Sequence, residues 1–329
     1  MAEGAVGVYT GAVKVRKRRR FLVDVLVRLI KEKPLGTVGA GIVLLLLFAG
    51  IFANWLAPYS YEQIWVGPRL APPSAAHWMG TDNVGRDILS RVIYGARVSM
   101  FVGLGVSALA TALNAIIGLS SGFLGGKTDL VIQRFVDAWM CFPALFLMLT
   151  FMALVGAGLV QVIVVLGVLY GISGSRTIRS AVIGIKQNIY VEAARSTGCP
   201  TWLILLKHIL PNVMAPIIIV FTTITGAAII AEASISFLGY GIPPPTPSWG
   251  GMLSGSGRQY MLEAPWLAIW PGLALSIVVY GINMFGDALR DLLDPRLRGG
   301  LGRYSGVKHK QPKTARLAGR EKTDNMPAK

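Results

Sequence analysis

Cysteine and histidine are nearly missing from this chain: 329 residues hold two cysteines, Cys141 and Cys199, and three histidines, His77, His208 and His309. Cys141 falls in an apolar run, Cys199 in a basic segment, and the histidines are scattered. Neither a disulfide framework nor a Cys/His metal cluster is expected from them. Charge is scarce as well. Asp, Glu, Lys and Arg make up 15% of the residues, where a soluble domain carries about a quarter. Acidic residues are the rarer sign, 16 against 32 Lys and Arg, which leaves a net charge of +16. Apolar residues make up 53% of the chain and gather into uncharged runs longer than a water-soluble core requires. A soluble globular protein is thereby excluded, and the expected class is an all-α integral membrane protein.

A large positive charge in a soluble protein would suggest nucleic acid. Here the Lys and Arg lie between and beyond the apolar runs, where membrane topology places them. The expected partner is membrane lipid, with no nucleic acid. Uncharged stretches place six spans, near residues 37–56, 98–122, 138–155, 159–175, 211–230 and 266–286. Ala138 to Ser175 is about twice one span, with a tight turn expected at Val155 to Gly158. If both termini lie inside, most Lys and Arg fall on the inner side, and residues 58–97 and 236–263 face out. Residues 1–36 form a basic N-terminal segment with an amphipathic helix, FLVDVLVRLI, stopped by Pro34. Its charges interrupt what would be the apolar core of a cleaved signal. Residues 37–298 form the membrane domain. Residues 299–329 form a basic, polar tail that is expected to be disordered.

One inner segment breaks the greasy pattern. Residues 186–211 contain YVEAARSTGCPTWLILLKHILP. Good helix formers run up to Thr197, and Gly198 supplies the left-handed conformation that ends a helix. Pro200 suits the first turn of a second helix. Trp202, Leu203, Leu205, Leu206, Ile209 and Leu210 give that helix an apolar face, and Pro211 leads into the next span. The expectation is a rigid helix–turn–helix on the inner surface. Such a knob fits a groove on a partner protein, or packs on its own chain.

Glu192-Ala193-Ala194, then Gly198 and Ile209-Leu210-Pro211, resemble the EAA loop of ABC importer permeases. GTDNVGRDILSRVIYGARVS from Gly80, EASISFLGYGIPPPTPSWGGML from Glu232 and PWLAIWPGLALSIVVYGINMFGDALRDLLDPRLR from Pro265 resemble the C-type permease of dipeptide and oligopeptide importers. Together these cover most of residues 37–298. Tyr240 stands where a leucine is more usual, and Ser196-Thr197 replaces a more apolar pair. The resemblance implies a type I ABC importer permease fold of six transmembrane helices with a cytoplasmic coupling helix. It also implies a homologous second permease, two ATP-binding subunits and an extracytoplasmic peptide-binding protein. Glu192, Ala193, Ala194, Gly198, Leu210 and Pro211 would then meet an ATPase subunit, and the outer loop with Pro244 and Trp249 the binding protein. ATP and Mg would sit on the partner subunits, with no cofactor, metal or catalytic residue in this chain. The implied cargo is peptide. Nickel chelates, glutathione and sugars are carried by related systems.

Some apparent motifs do not point to chemistry. GGKT at Gly125 to Thr128 has Ser121 where a phosphate-binding loop needs glycine, and it follows an apolar run instead of a strand. GLSSG at Gly118 to Gly122 copies a nucleophile elbow but lies in a span, where small residues permit close helix packing. Asp82, Asn83 and Asp87 are too few for a calcium loop, and Asp82 is expected to cap the following helix. Glu232 is a carboxylate near the outer end of an apolar run, with an arginine partner or a transport role equally open. Thr222, Thr223, Thr225 and Gly226 make the fifth span locally polar and small, Asn114 and Asn283 are polar within the second and sixth, and these residues either line the transport route or join helices. A stand-alone secondary transporter, the rival reading, would carry internal repeats or intramembrane charge pairs. Neither stands out here.

Overall fold

The computed structural model describes residues 21–293. The basic extreme N-terminus and the tail after Arg298 lie outside the described residues. Helix α1 covers Phe21–Glu32 and α2 Pro34–Ile51, extended by one turn, α3, at Ala53–Leu56. An irregular segment of residues 57–87 leads to α4, Ile88–Leu124. Helices α5 (Gly126–Met140), α6 (Ala144–Val155) and α7 (Leu159–Lys186) follow. The loop helices α8 (Ile189–Ser196) and α9 (Thr201–Ile204) precede α10 (Leu210–Phe237). Short helices α11 (Trp249–Ser254) and α12 (Ser256–Gln259) cross the far end, and α13 (Trp266–Leu293) closes the bundle.

α2, α4, α7, α13 and the continuous helical stretch Thr201–Phe237 are each long and apolar enough to cross a membrane. The expected third span, 138–155, is not one straight helix. α5 and α6 meet at a bend of 87°, with Cys141, Phe142 and Pro143 between them. Pro143 forces this break, because it holds the preceding residue out of the helical region and cannot donate to a helix ladder. The expected turn before α7 is present, with Gly156 in the left-handed region at φ +92°. α4 starts ten residues before the expected edge at residue 98, and α7 runs eleven past the expected edge at 175. α4 has 37 residues, about 55 Å at the helical rise. It therefore projects well beyond an apolar layer of about 30 Å.

The charges inside these long helices are satisfied locally and so do not end them. Arg97 donates to Gly50 O at 2.8 Å and to Asn54 Oδ1 at 2.9 Å. Arg179 meets both oxygens of Asp129, with Nε–Oδ1 2.7 Å and Nη2–Oδ2 2.5 Å, and Arg176 pairs with Asp137. The expected cap at Asp82 is displaced by one turn of loop. Asp87 is the N-cap of α4, accepting from Ser90 N at 2.8 Å, and its other oxygen faces His77 Nδ1 at 3.0 Å. Asp82 Oδ1 instead accepts from Val84 N and Arg86 N, both at 2.9 Å, and shapes the loop.

Small residues set the helix spacing, as the GLSSG stretch leads one to expect. A Cβ on Gly118 would lie 2.8 Å from both Ile178 Cβ and Ser175 O. A Cβ on Gly122 would lie 2.9 Å from Arg179 O. α4 and α7 thus touch backbone to backbone. α2 and α13 do the same, where a Cβ on Gly39 would lie 2.5 Å from Gly281 O. Close approach of this kind is how helices gain packing energy in lipid, where burial from water adds little. The central core joins α4, α6, α7 and α10 through Val102, Val106, Met152, Val162, Leu166 and Ile235.

Candidate functional site

The segment between α7 and α10 is built to hold one shape. α8 ends in a Schellman turn: Gly198 N donates to Arg195 O at 2.9 Å and Cys199 N to Ala194 O at 3.1 Å. Gly198 has φ +78°, the left-handed conformation expected of it. Pro200 sits one position earlier than expected, as the N-cap of α9, its carbonyl accepting from Leu203 N at 3.0 Å and Ile204 N at 3.1 Å. The second half is not a separate helix lying on the surface. α9 runs through a widened turn at Leu205–Ile209 directly into α10, and Leu210 N donates to Leu205 O across it. Pro211 follows at once. A proline ring clashes with the carbonyl four residues back in a regular helix, and the wider turn relieves that clash.

The inner face of this knob is locked down. Val191, Ile204, Ile209 and Val213 are buried against Leu119, Phe123, Ile178 and Val182 at the ends of α4 and α7. Lys186 Nζ donates to Phe123 O at 2.5 Å, and the Arg195 guanidinium lies 5.3 Å from the Phe123 ring centroid. A cation on a terminal carbonyl is a favourable helix C-terminal partner. Ala194 and Leu210 are half-buried in the same cluster, so they position the loop. Glu192, Ala193, Gly198 and Pro211 are exposed. The apolar face read from sequence divides in two: Trp202 is 63% exposed and Leu206 52%, while Ile204 and Ile209 are buried. Ile189, 84% exposed, adds to the outward apolar surface. Exposed aromatic and aliphatic side chains on a rigid knob mark a contact surface.

Beside the knob lies an open groove of about 1250 Å³ between α7, α10 and the end of α13. It runs from Tyr170 to Asn188 and Tyr190, so it opens at the loop end of the bundle. Ser173 and Thr177 of α7, Asn212 and Thr223 of α10, and Arg290 of α13 line it. Thr223 belongs to the polar stretch that the sequence marks in the fifth span, whereas Ser173, Thr177, Asn212 and Arg290 were missed by reading polarity alone. The signal was the period: Tyr170, Ser173 and Thr177 fall on one helical stripe, at i, i+3 and i+7.

The polar span residues singled out from sequence mostly lie elsewhere. Thr225 Oγ1 meets Ser107 Oγ of α4 at 2.8 Å. Thr222 faces α13, with its Oγ1 3.3 Å from where a Cβ on Gly286 would sit. Asn283 is exposed on α13 and approaches Gly226 of α10. Thr222 and Thr225 thus lie at helix junctions. Asn114 is fully buried behind Gly174, which lines the groove. A Cβ there would lie 2.7 Å from Asn114 Oδ1. Glu232 is 1% exposed, and its partner is Ser236, whose Oγ donates to Oε1 at 2.6 Å. No described arginine pairs with it. At the far end Pro244 is exposed, but Trp249 is not a contact residue. Trp249 is 2% exposed and packs on Gly95, with its Nε1 donating to Val92 O at 3.1 Å.

Comparison with known proteins gives a consistent set of likenesses. A family model described as binding-protein-dependent transport system inner membrane component matches residues 114–299. A second, the N-terminal TM domain of oligopeptide transport permease C, matches residues 21–73. A probable D,D-dipeptide transport system permease protein of Escherichia coli (strain K12) is 38% identical over 290 residues, covering 88% of this chain and 97% of the relative. A dipeptide transport system permease protein of Alkalihalophilus pseudofirmus is 38% identical over 269 residues, covering 82% of this chain and 88% of the relative. A glutathione transport system permease protein of Pectobacterium atrosepticum is 40% identical over 263 residues, covering 79% and 87% respectively. Among solved structures, inward-facing MetNI methionine ABC transporter matches with a TM-score of 0.51 at 18% identity, over 63% of this chain and 98% of the matched chain. That likeness speaks for the fold alone.

Proposed function

The chain belongs to the binding-protein-dependent transport system inner membrane components, and from that premise we propose that it is the permease subunit of an ATP-driven importer of short peptides. Relatives named for dipeptide and peptide transport support this cargo. Glutathione, the cargo in the name of another relative, is itself a tripeptide, although its first amide bond runs through the glutamate side chain. The complete machine contains a second, homologous permease, two ATP-binding subunits and an extracytoplasmic peptide-binding protein. ATP and Mg bind the ATPase subunits. This chain carries out no chemistry of its own. It sits in the inner membrane with both termini and the α8–α9 knob on the cytoplasmic side.

The observation that carries the proposal is the mechanical continuity of the knob with α10. Force applied to α8 and α9 meets no slack: the Schellman turn fixes their angle, the buried apolar face ties them to α4 and α7, and α9 is one stretch with α10. Packed elements of this kind move between discrete arrangements instead of deforming smoothly. Closure of the ATPase subunits would push the exposed face of Glu192, Trp202 and Leu206, and α10 would tilt with it. The far end would then open toward the binding protein.

Uptake of labelled peptides of graded length in cells with and without this gene tests the reading. Deletion should abolish uptake of at least one length class, and Glu192→Lys should abolish it while leaving the protein in the membrane. Unchanged peptide uptake in both strains would reject peptide as the cargo.

A further inference from the structure

The groove between α7 and α10 presents hydroxyls where lipid or a packed helix would not want them. Hydroxyls within spans usually bond to a neighbouring helix, as Thr225 does with Ser107. Among the described residues, Thr177 and Thr223 reach no neighbouring helix and are exposed into the groove, Thr223 Oγ1 donating only to Ile219 O of its own helix at 3.0 Å. Adjacent residues on α10 thus divide the work: Thr222 faces α13, and Thr223 faces open space. Polar groups at membrane depth mark a water-filled route more often than a lipid face. At about 1250 Å³ the space exceeds the ~300–1,000 Å³ of ordinary ligand pockets, so a short peptide fits.

The chemistry of the wall is specific in kind. Among the described residues no Asp or Glu lines the groove, and Arg290 is its one cation. Tyr170 and Thr177 offer hydroxyls that donate and accept, while Ser173 and Thr223, whose protons go to Leu169 O at 2.9 Å and Ile219 O at 3.0 Å, offer acceptor oxygens. Every peptide residue other than proline offers one N–H and one C=O. A hydroxyl stripe can satisfy either group whatever side chain the peptide carries. Arg290, at the loop end, suits a carboxylate.

We propose that this groove is the part of the transport route that this subunit supplies, and that it holds peptides by their main chain through Tyr170, Ser173, Thr177 and Thr223, with Arg290 drawing the terminal carboxylate. The proposal rests on the permease reading above and deepens it. Thr222 and Thr225 are thereby assigned to helix packing.

Single cysteines at Thr177, Thr223 and Thr222, in the full transporter complex in inside-out vesicles, test it. Each is compared with the parent chain, which carries Cys141 and Cys199. Thr177→Cys and Thr223→Cys should gain labelling by a charged maleimide, and a transported dipeptide in excess should slow that labelling severalfold. Thr222→Cys should label no more than the parent. In uptake assays the pair Thr177→Val and Thr223→Val should raise KM by about two- to tenfold, the worth of one modest hydrogen bond. Failure of Thr177→Cys and Thr223→Cys to label, or labelling that peptide does not slow, would overturn the assignment. If Glu192→Lys still blocked uptake, the permease reading would survive that loss.

Discussion

Replacing Gly198 isolates the contribution of one backbone angle to coupling. Gly198 sits at φ +78°, and a Cβ built there meets nothing within 4 Å of its own chain. Alanine therefore clashes with nothing, and its whole cost is the left-handed conformation, about 1–2 kcal/mol for an L residue. That is a factor of about 5–30 in the local equilibrium between the closed Schellman turn and alternatives. The bonds at risk are Gly198 N to Arg195 O and Cys199 N to Ala194 O. Their loss lets α8 swing relative to α9, so closure of the ATPase would be absorbed in the loop. Purified complex in proteoliposomes gives the readout, as peptide transported per ATP hydrolysed. Gly198→Ala should lower that ratio several-fold, and Gly198→Asn, which tolerates the left-handed region, should lower it less. Gly198→Leu should lower it most, because its extra bulk meets only the partner. Equal ratios for the parent, Gly198→Ala and Gly198→Leu would refute the claim that the fixed turn transmits force.

Two further outcomes follow from packing. Trp249→Ala removes a buried aromatic and its bond to Val92 O. It should destabilise the far end by about 3 kcal/mol, read as a lower melting temperature in detergent, and an unchanged melt would contradict its role as an anchor between α11 and α4. Gly118→Val should separate α4 from α7, because its Cβ would meet Ser175 O at 2.8 Å. The expected result is loss of folded protein from membranes, and full assembly would show that the helices can part without cost.

The spans were legible because uncharged runs of the right length have few other uses in a chain with so little charge. Their edges were not. Arg97 looked like a boundary but donates to the end of α2, and Arg176 and Arg179 looked like one but pair with Asp137 and Asp129. Sequence shows a charge, whereas its partner comes from the fold. The bend at Pro143 was concealed by an apolar run that continues across it. The α8–α9 knob was the most legible element, since Gly198 and Pro200 are local signals with local causes. That it is fused to α10 was not, because a proline at 211 argues for a break and a widened turn absorbs it. The groove was hidden for another reason: Thr222, Thr223 and Thr225 are equally polar in sequence, and only helix register distinguishes a packing face from an open one. Trp249 was misassigned as a surface residue because aromatic residues near span ends suit both the interface and a buried anchor.

The central claim is that this chain moves peptides only when an ATPase drives it through the α8–α9 knob. The most direct measurement is accumulation of a labelled dipeptide in proteoliposomes holding both permeases, with the binding protein outside and ATP inside, with and without the ATPase subunits. Accumulation that needs ATP and those subunits, and that Glu192→Lys abolishes, is the expected result. Accumulation that persists without the ATPase subunits, or that Glu192→Lys leaves intact, would contradict the account.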